Sequence, residues 1–148
     1  GRTPEAHGFV KIDEKIYDAT LAEFAKNNEH HQVGEITANA IEFIRENKTK
    51  PFVICVSHTA VHAPLLARED LIRKYKTKLR KTGIDDVHPT YAAMAEMADE
   101  SLGMLLDELK ALGMTENTVV FLYSDNGGLI SDMYLGNPEP MVTTMAPL

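Results

Sequence analysis

Two short apolar runs, PFVICV at 51–56 and VVFLYS at 119–124, constrain the fold of this 148-residue chain more than any other feature. Each is too short for a helix and rich in β-branched and aromatic residues, the signature of a buried strand. The stretches around them follow the helical period instead. Ile36, Ala40, Phe43 and Ile44 share one face of a segment that runs to about Asn47. Residues 67–79 (AREDLIRKYKTKL) place acids early and bases late, as the helix macrodipole favours, and Thr82-Gly83 ends them. Pro89 and Thr90 open the strongest helix, whose stripe is Tyr91, Met94, Ala98, Leu102, Leu105, Leu109 and Leu112. Gly113 stands where a left-handed cap is expected.

The order helix, strand, helices, strand predicts an α/β fold, with the two runs as parallel neighbours in a sheet flanked by helices. Three regions follow: an irregular lead-in at 1–32 with a helical candidate at Asp18–Lys26, an α/β segment at 33–128, and a tail at 129–148. In such sheets ligands bind beyond the carboxyl ends of the strands. Both runs end in chemically loaded loops, SHTAVHAP at 57–64 and DNGG at 125–128.

Composition narrows the functional classes. Hydrophobic residues at 44% and charged residues at 25% place the chain among globular proteins. A net charge of −7 argues against a general nucleic-acid binder. No apolar run approaches the roughly 20 residues of a membrane helix. The single cysteine, Cys55, excludes an intramolecular disulfide, and in mid-strand it reads as an inert small hydrophobe. The chain opens at Gly1 without a starting methionine or a signal-peptide pattern, which suggests a processed or excised piece.

The candidate site residues each have two readings. Asp125 and Asn126 are hard oxygen donors suited to Ca²⁺ or Mg²⁺, and equally good turn formers. His58 and His62 could share a zinc ion if helical, or one could bind an anion or protonate a leaving group. Either could also be a hydrogen-bonded structural histidine. The basic run Arg73, Lys74, Lys76, Lys78, Arg80 and Lys81 could attract phosphate or sulfate polymers, or be a solvated helix face. Glu29-His30-His31 lies in a polar loop without a partner at ligand spacing.

Taken in order, these pieces resemble the sulfatase family of the alkaline phosphatase superfamily. The segment AIEFIRENKTKPFVICVSHTAVHAPL (40–65) looks like that family's helix, strand and histidine loop. YAAMAEMADESLGMLLDELKALGMTENTVVFLYSDNGG (91–128) looks like its long helix and metal-binding strand end, and His7-Gly8-Phe9 like a short element before them. The resemblance implies an alkaline-phosphatase-like sulfatase domain, here incomplete, that hydrolyses sulfate esters. It further implies that Asp125 and Asn126 ligate Ca²⁺ (or Mg²⁺). His62, and more weakly His58, would contact the sulfate ester and help the leaving oxygen depart. The family's nucleophile is a formylglycine hydrate made from Cys or Ser in a C/S-x-P-x-R motif.

Three family features are missing. There is no C/S-x-P-x-R motif, so this chain holds no nucleophile; Cys55 lies in F-V-I-C-V-S. The early Asp-Asp pair of metal ligands is absent, and Asp85-Asp86 lies between helices. The family's Gly-Lys-Gly lysine would follow a stretch like Ala146-Pro147-Leu148, where the chain stops. The expectation is therefore an inactive internal portion of a sulfatase, acting in its parent on a sulfate ester and not on nucleic acid or a membrane. Exposed sheet edges would favour homo-oligomers. The resemblance suggests an exported parent, whether periplasmic, extracellular or lysosomal. The alternatives are a phosphoester or phosphonate hydrolase of the same superfamily and a non-catalytic sulfatase-like binding module.

Overall fold

Four α-helices in the computed structural model supply most of the buried core, and the model describes residues 18–129 together with Thr143. They are α1 (Ala19–Asn27), α2 (Val33–Asn47), α3 (Glu69–Thr82) and α4 (Pro89–Ala111), with single 3₁₀ turns at His30–Gln32 and Thr115–Asn117. The element His7-Gly8-Phe9, the first 17 residues of the lead-in and the tail beyond Leu129 apart from Thr143 lie outside the described residues. Packing runs from α1 onto α2, from α2 onto α4 and from α4 onto α3. Among the described residues no helix is long and apolar enough to cross a membrane.

Local chemistry explains where the helices begin and end. Asp18 caps α1, its carboxylate accepting from the Leu21 N–H at 3.0 Å. His88 caps α4 by accepting from the Thr90 N–H at 3.2 Å, with Pro89 in the first turn, where its missing donor is harmless. Gly83 (φ 70°) ends α3, and Gly113 (φ 67°) follows α4 in the left-handed conformation expected of it.

Two apolar clusters form the core. Val33, Ala67, Leu71, Ala93, Met94 and Met97 join α2, α3 and α4. Leu21, Ala38 and Ile41 join α1 to α2, with Met104 and Leu105 of α4 beside them. Gly34 lets α2 lie directly on α1: a Cβ there would come within 2.5 Å of the Ala25 Cα. Two arginines tie the helices together. Arg45 forks onto Glu108 at 2.9 and 2.8 Å and reaches Asp18 and Glu42. Arg68 forks onto Glu100 at 2.7 and 3.1 Å, and also contacts Asp70 and the Asn28 side-chain oxygen.

The predicted α/β fold is not what forms. Among the described residues there is no strand and no sheet, so neither the parallel pair nor an α/β segment at 33–128 is present. Residues 52–59 do alternate in exposure. Phe52, Ile54, Val56 and His58 are half-buried, while Val53, Cys55, Ser57 and Thr59 face outward. The inner face contacts the helices, as in the edge-to-face pair of Phe43 and Phe52, whose ring centroids are 5.6 Å apart. Run 119–123 is open along its length, from Val119 (76% exposed) to Tyr123 (87%). Composition confers a preference for extended backbone, but a strand exists only where a second backbone supplies its hydrogen bonds. These two runs do not supply them to each other. Among the described residues there is therefore also no sheet edge of the kind expected to drive oligomers. Cys55 lies on the outward face, 3.3 Å from the Ser57 hydroxyl, rather than in a core.

Candidate functional site

The loop at 57–66 connects the first apolar run to the residues before α3, and its two histidines point to different environments. His58 turns inward. Its Nε2 lies 2.8 Å from the hydroxyl of Ser101, a fully buried residue of α4. That hydroxyl is in turn 2.6 Å from Thr37 Oγ1, which is also buried and back-bonds to the Val33 carbonyl of α2. His58 Nδ1 is buried without a hydrogen-bond partner. Burial pushes the His58 imidazole below its ordinary value, which favours the neutral ring. A second ring proton on Nδ1 would be a buried donor with nothing to bond.

His62 turns outward and is exposed. Its Nδ1–H donates to the Ala63 carbonyl at 2.8 Å, which leaves Nε2 directed away from the backbone. When the ring is protonated, that carbonyl holds one proton and the Nε2 proton is free to transfer. The imidazoles thus diverge, and residues 58–62 are not helical, so the i, i+4 zinc geometry is absent. Two cis peptide bonds, Ala60–Val61 and Ala63–Pro64, lie in this loop.

Sequence reasoning missed His31. Its Nε2–H donates to the Pro64 carbonyl at 2.9 Å, and its own carbonyl accepts from Thr59 Oγ1 at 3.4 Å. His31 and Gln32 both adopt positive φ, 53° and 55°, which non-glycine residues rarely do. The polar string Glu29-His30-His31 carries no glycine to announce that bend. Arg68 completes the attachment by fastening the loop's far end to Glu100 of α4.

Asp125 and Asn126 are exposed in the turn at 125–126. The Ser124 hydroxyl donates to the Asn126 carbonyl at 2.7 Å, and Asn126 Nδ2 donates to the Gly127 carbonyl at 2.8 Å. With its amide nitrogen so engaged, the side-chain oxygen of Asn126 stays available beside the Asp125 carboxylate. That pair of hard oxygens fits part of a Ca²⁺ or Mg²⁺ shell. Among the described residues no group of three or more His, Cys, Asp or Glu side chains could hold a metal ion. Gly128 follows close against α4, where an added Cβ would meet the Tyr91 hydroxyl at 3.1 Å. The segment is a turn whose two exposed side chains carry oxygen donors.

Comparison with known proteins places the chain. The family model described as Sulfatase matches residues 4–142. A sulfatase of Formosa agariphila is 38% identical over 96 residues, covering 58% of this chain and 17% of that protein. Human steryl-sulfatase is 26% identical over 98 residues, covering 66% and 15%. N-acetylgalactosamine-6-sulfatase of Rattus norvegicus is 32% identical over 93 residues, covering 62% and 16%. The chain thus spans about a sixth of the length of the curated relatives it matches. On the family match across nearly its whole length, the chain belongs to the sulfatase family.

Proposed function

We propose that this chain supplies the leaving-group side and part of the metal side of a sulfate-ester hydrolysis site. The observation that carries the reading is the outward His62 on a loop anchored by His58, His31 and Arg68. His62 Nε2–H would donate its proton to the ester oxygen as the sulfur–oxygen bond breaks, while the Ala63 carbonyl holds the ring in register. In this reading His58, turned inward and tied to Ser101, positions the loop.

Asp125 and Asn126 would be two ligands of Ca²⁺ or Mg²⁺, which when bound offsets charge on the sulfuryl oxygens. The formylglycine nucleophile has no precursor motif in this sequence and must come from other residues of the working site. The parent protein is then a sulfuric ester hydrolase in an exported setting, and this chain alone is inactive.

A chimera tests the proposal. The matching segment of the Formosa agariphila sulfatase is replaced by this chain's, and turnover of 4-nitrophenyl sulfate is measured. Turnover is expected to survive the exchange and to fall roughly 100-fold or more on His62→Ala. Undiminished turnover in that variant would remove His62 from the chemistry. Preference of the chimera for a phosphate monoester would favour the phosphoester alternative. Metal-dependent turnover by the isolated chain would refute its inactivity.

A further inference from the structure

Six of the chain's 15 lysines and arginines fall between Arg73 and Lys81 of α3, with no acid among them, in a protein of net charge −7. All six are exposed. Helical spacing sorts them into two adjacent strips, Arg73–Lys76–Arg80 and Lys74–Lys78–Lys81, each about 10 Å long at ~1.5 Å rise per residue. Lys74 and Lys78 each place the ammonium 5.5 Å from the centre of the Tyr75 ring, so this ring lies between two cations. Tyr75 itself packs on the core cluster below, which seats that part of the strip on a rigid base.

The pattern of ion pairing sets this surface apart. Arg45 and Arg68 each engage two or more carboxylates. On α3, only Lys74 has an acidic partner, Glu96; Arg73, Lys76, Lys78, Arg80 and Lys81 have none among the described residues. Most of the nearby acids are engaged or lie at the ends, and Asp99 of α4 is exposed near Tyr75. Glu100 faces Arg68, Glu69 and Asp70 occupy the first turn of α3, and Asp85 and Asp86 lie beyond Gly83. Among the described residues, five of the six cations on this helix thus have no acidic partner, and the helix follows on the His62 loop.

We propose that this face of α3 is a docking surface for a linear polyanion, specifically a polysaccharide bearing repeated sulfate or carboxylate groups. Charge complementarity selects the class, because the patch acts within a Debye length of about 8–10 Å while the rest of the molecule repels anions. Nucleic acid fits less well. The face's one aromatic ring is covered by lysines, so it offers no platform for stacking bases. The inference deepens the sulfate-ester reading by making the substrate polymeric, and it rests on that reading only for the purpose of binding.

The test uses the whole chain, with dextran sulfate as probe and unsulfated dextran of equal length as control, followed by fluorescence anisotropy. Binding to dextran sulfate but not dextran is expected. In the Arg73→Gln/Lys76→Gln/Arg80→Gln variant it should weaken roughly tenfold or more, with a shallower dependence on salt. The pair Lys48→Gln/Lys50→Gln should leave it within about twofold. Far-UV circular dichroism reports whether the triple variant keeps its helices. If it does not, the single variants Lys76→Gln and Arg80→Gln are read, each expected to weaken binding. Wild-type affinity in the folded variants, or equal affinity for duplex DNA of matched charge, would overturn the proposal. In the chimera, the Arg73→Gln/Lys76→Gln/Arg80→Gln variant should turn over the small 4-nitrophenyl sulfate as before, so loss of the catalytic reading and loss of this one are separate results.

Discussion

His31 and Pro64 are separated by 33 positions and joined by one hydrogen bond of 2.9 Å, from the imidazole Nε2–H to the proline carbonyl. That bond couples a left-handed bend just before α2 to the loop that presents His62. His31→Ala should therefore cost about 1 kcal/mol of stability in urea titration. Amide exchange at 59–66 should rise with it. His31→Gly loses the same bond but relieves a positive φ worth roughly 1 kcal/mol, so it should be the less damaging change. A glycine variant no more stable than the alanine one would show that the bend carries no strain.

Ser101 is the joint between His58 and Thr37. Ser101→Ala leaves the His58 ring without its partner inside the protein, at a cost of about 1–3 kcal/mol. Replacement by Cys, similar in size but a weaker hydrogen-bonding group, should recover only part of this. Chemical denaturation of both variants decides it, and an alanine variant as stable as wild type would mean the bond contributes nothing net.

The same imidazole gives a pH dependence with a definite sign. Burial lowers the folded-state pKa of His58, so the unfolded chain binds its proton first as pH falls. The stability it contributes is complete above the unfolded value of roughly 6.5 and is lost as pH falls toward the folded value. Following the His58 ring resonances by NMR should show a midpoint below the ordinary imidazole value of roughly 6.5. A midpoint at or above that value would contradict the inward-facing, neutral assignment.

Gly34→Ala should be among the most damaging small substitutions in the chain. The new methyl would meet backbone, 2.5 Å from the Ala25 Cα, and backbone cannot rotate away. A loss of about 2–3 kcal/mol is expected, read as a lower thermal midpoint of the helical signal. Gly103→Ala, at an exposed position with nothing within 4 Å of the new Cβ, is the paired control and should stabilise slightly.

Arg68 and Glu100 have side chains 21% and 30% exposed, between a surface pair and a buried one. A double-mutant cycle with Arg68→Ala and Glu100→Ala should return a coupling near 1 kcal/mol that shrinks in high salt. A coupling indistinguishable from zero would leave the loop's far end fastened by packing alone.

How far the sequence could be read depended on whether a feature is local. The helices were legible because period and capping are written in consecutive residues: Pro89 at the start of α4 and Gly113 after its end stand where they were expected. The buried face of α4 was only partly legible. Met94 and Leu109 are buried as the stripe requires, yet Ser101 is fully buried where an apolar residue would be expected. It is there for Thr37 and His58, partners 64 and 43 positions away. In α2 the same pairing draws Thr37 inward, while Phe43 stays half-buried. The strands failed for a related reason. Val119–Tyr123 has every local property of a strand, and pairing is not a local property. Of the candidate site, His62, Asp125 and Asn126 could be named from residue type alone; the bend at His31 that holds the loop could not.

Because contacts pass from α1 to α2, then α4, then α3, the helices lie in a different order in space from their order along the chain. The two outer members, α1 and α3, each rest chiefly on one neighbour, and only the inner two are held from both sides. Loss of structure should accordingly be peripheral first. As denaturant rises below the main transition, amides of α1 and α3 should open to exchange while those in the middle of α4 wait for the whole assembly to come apart.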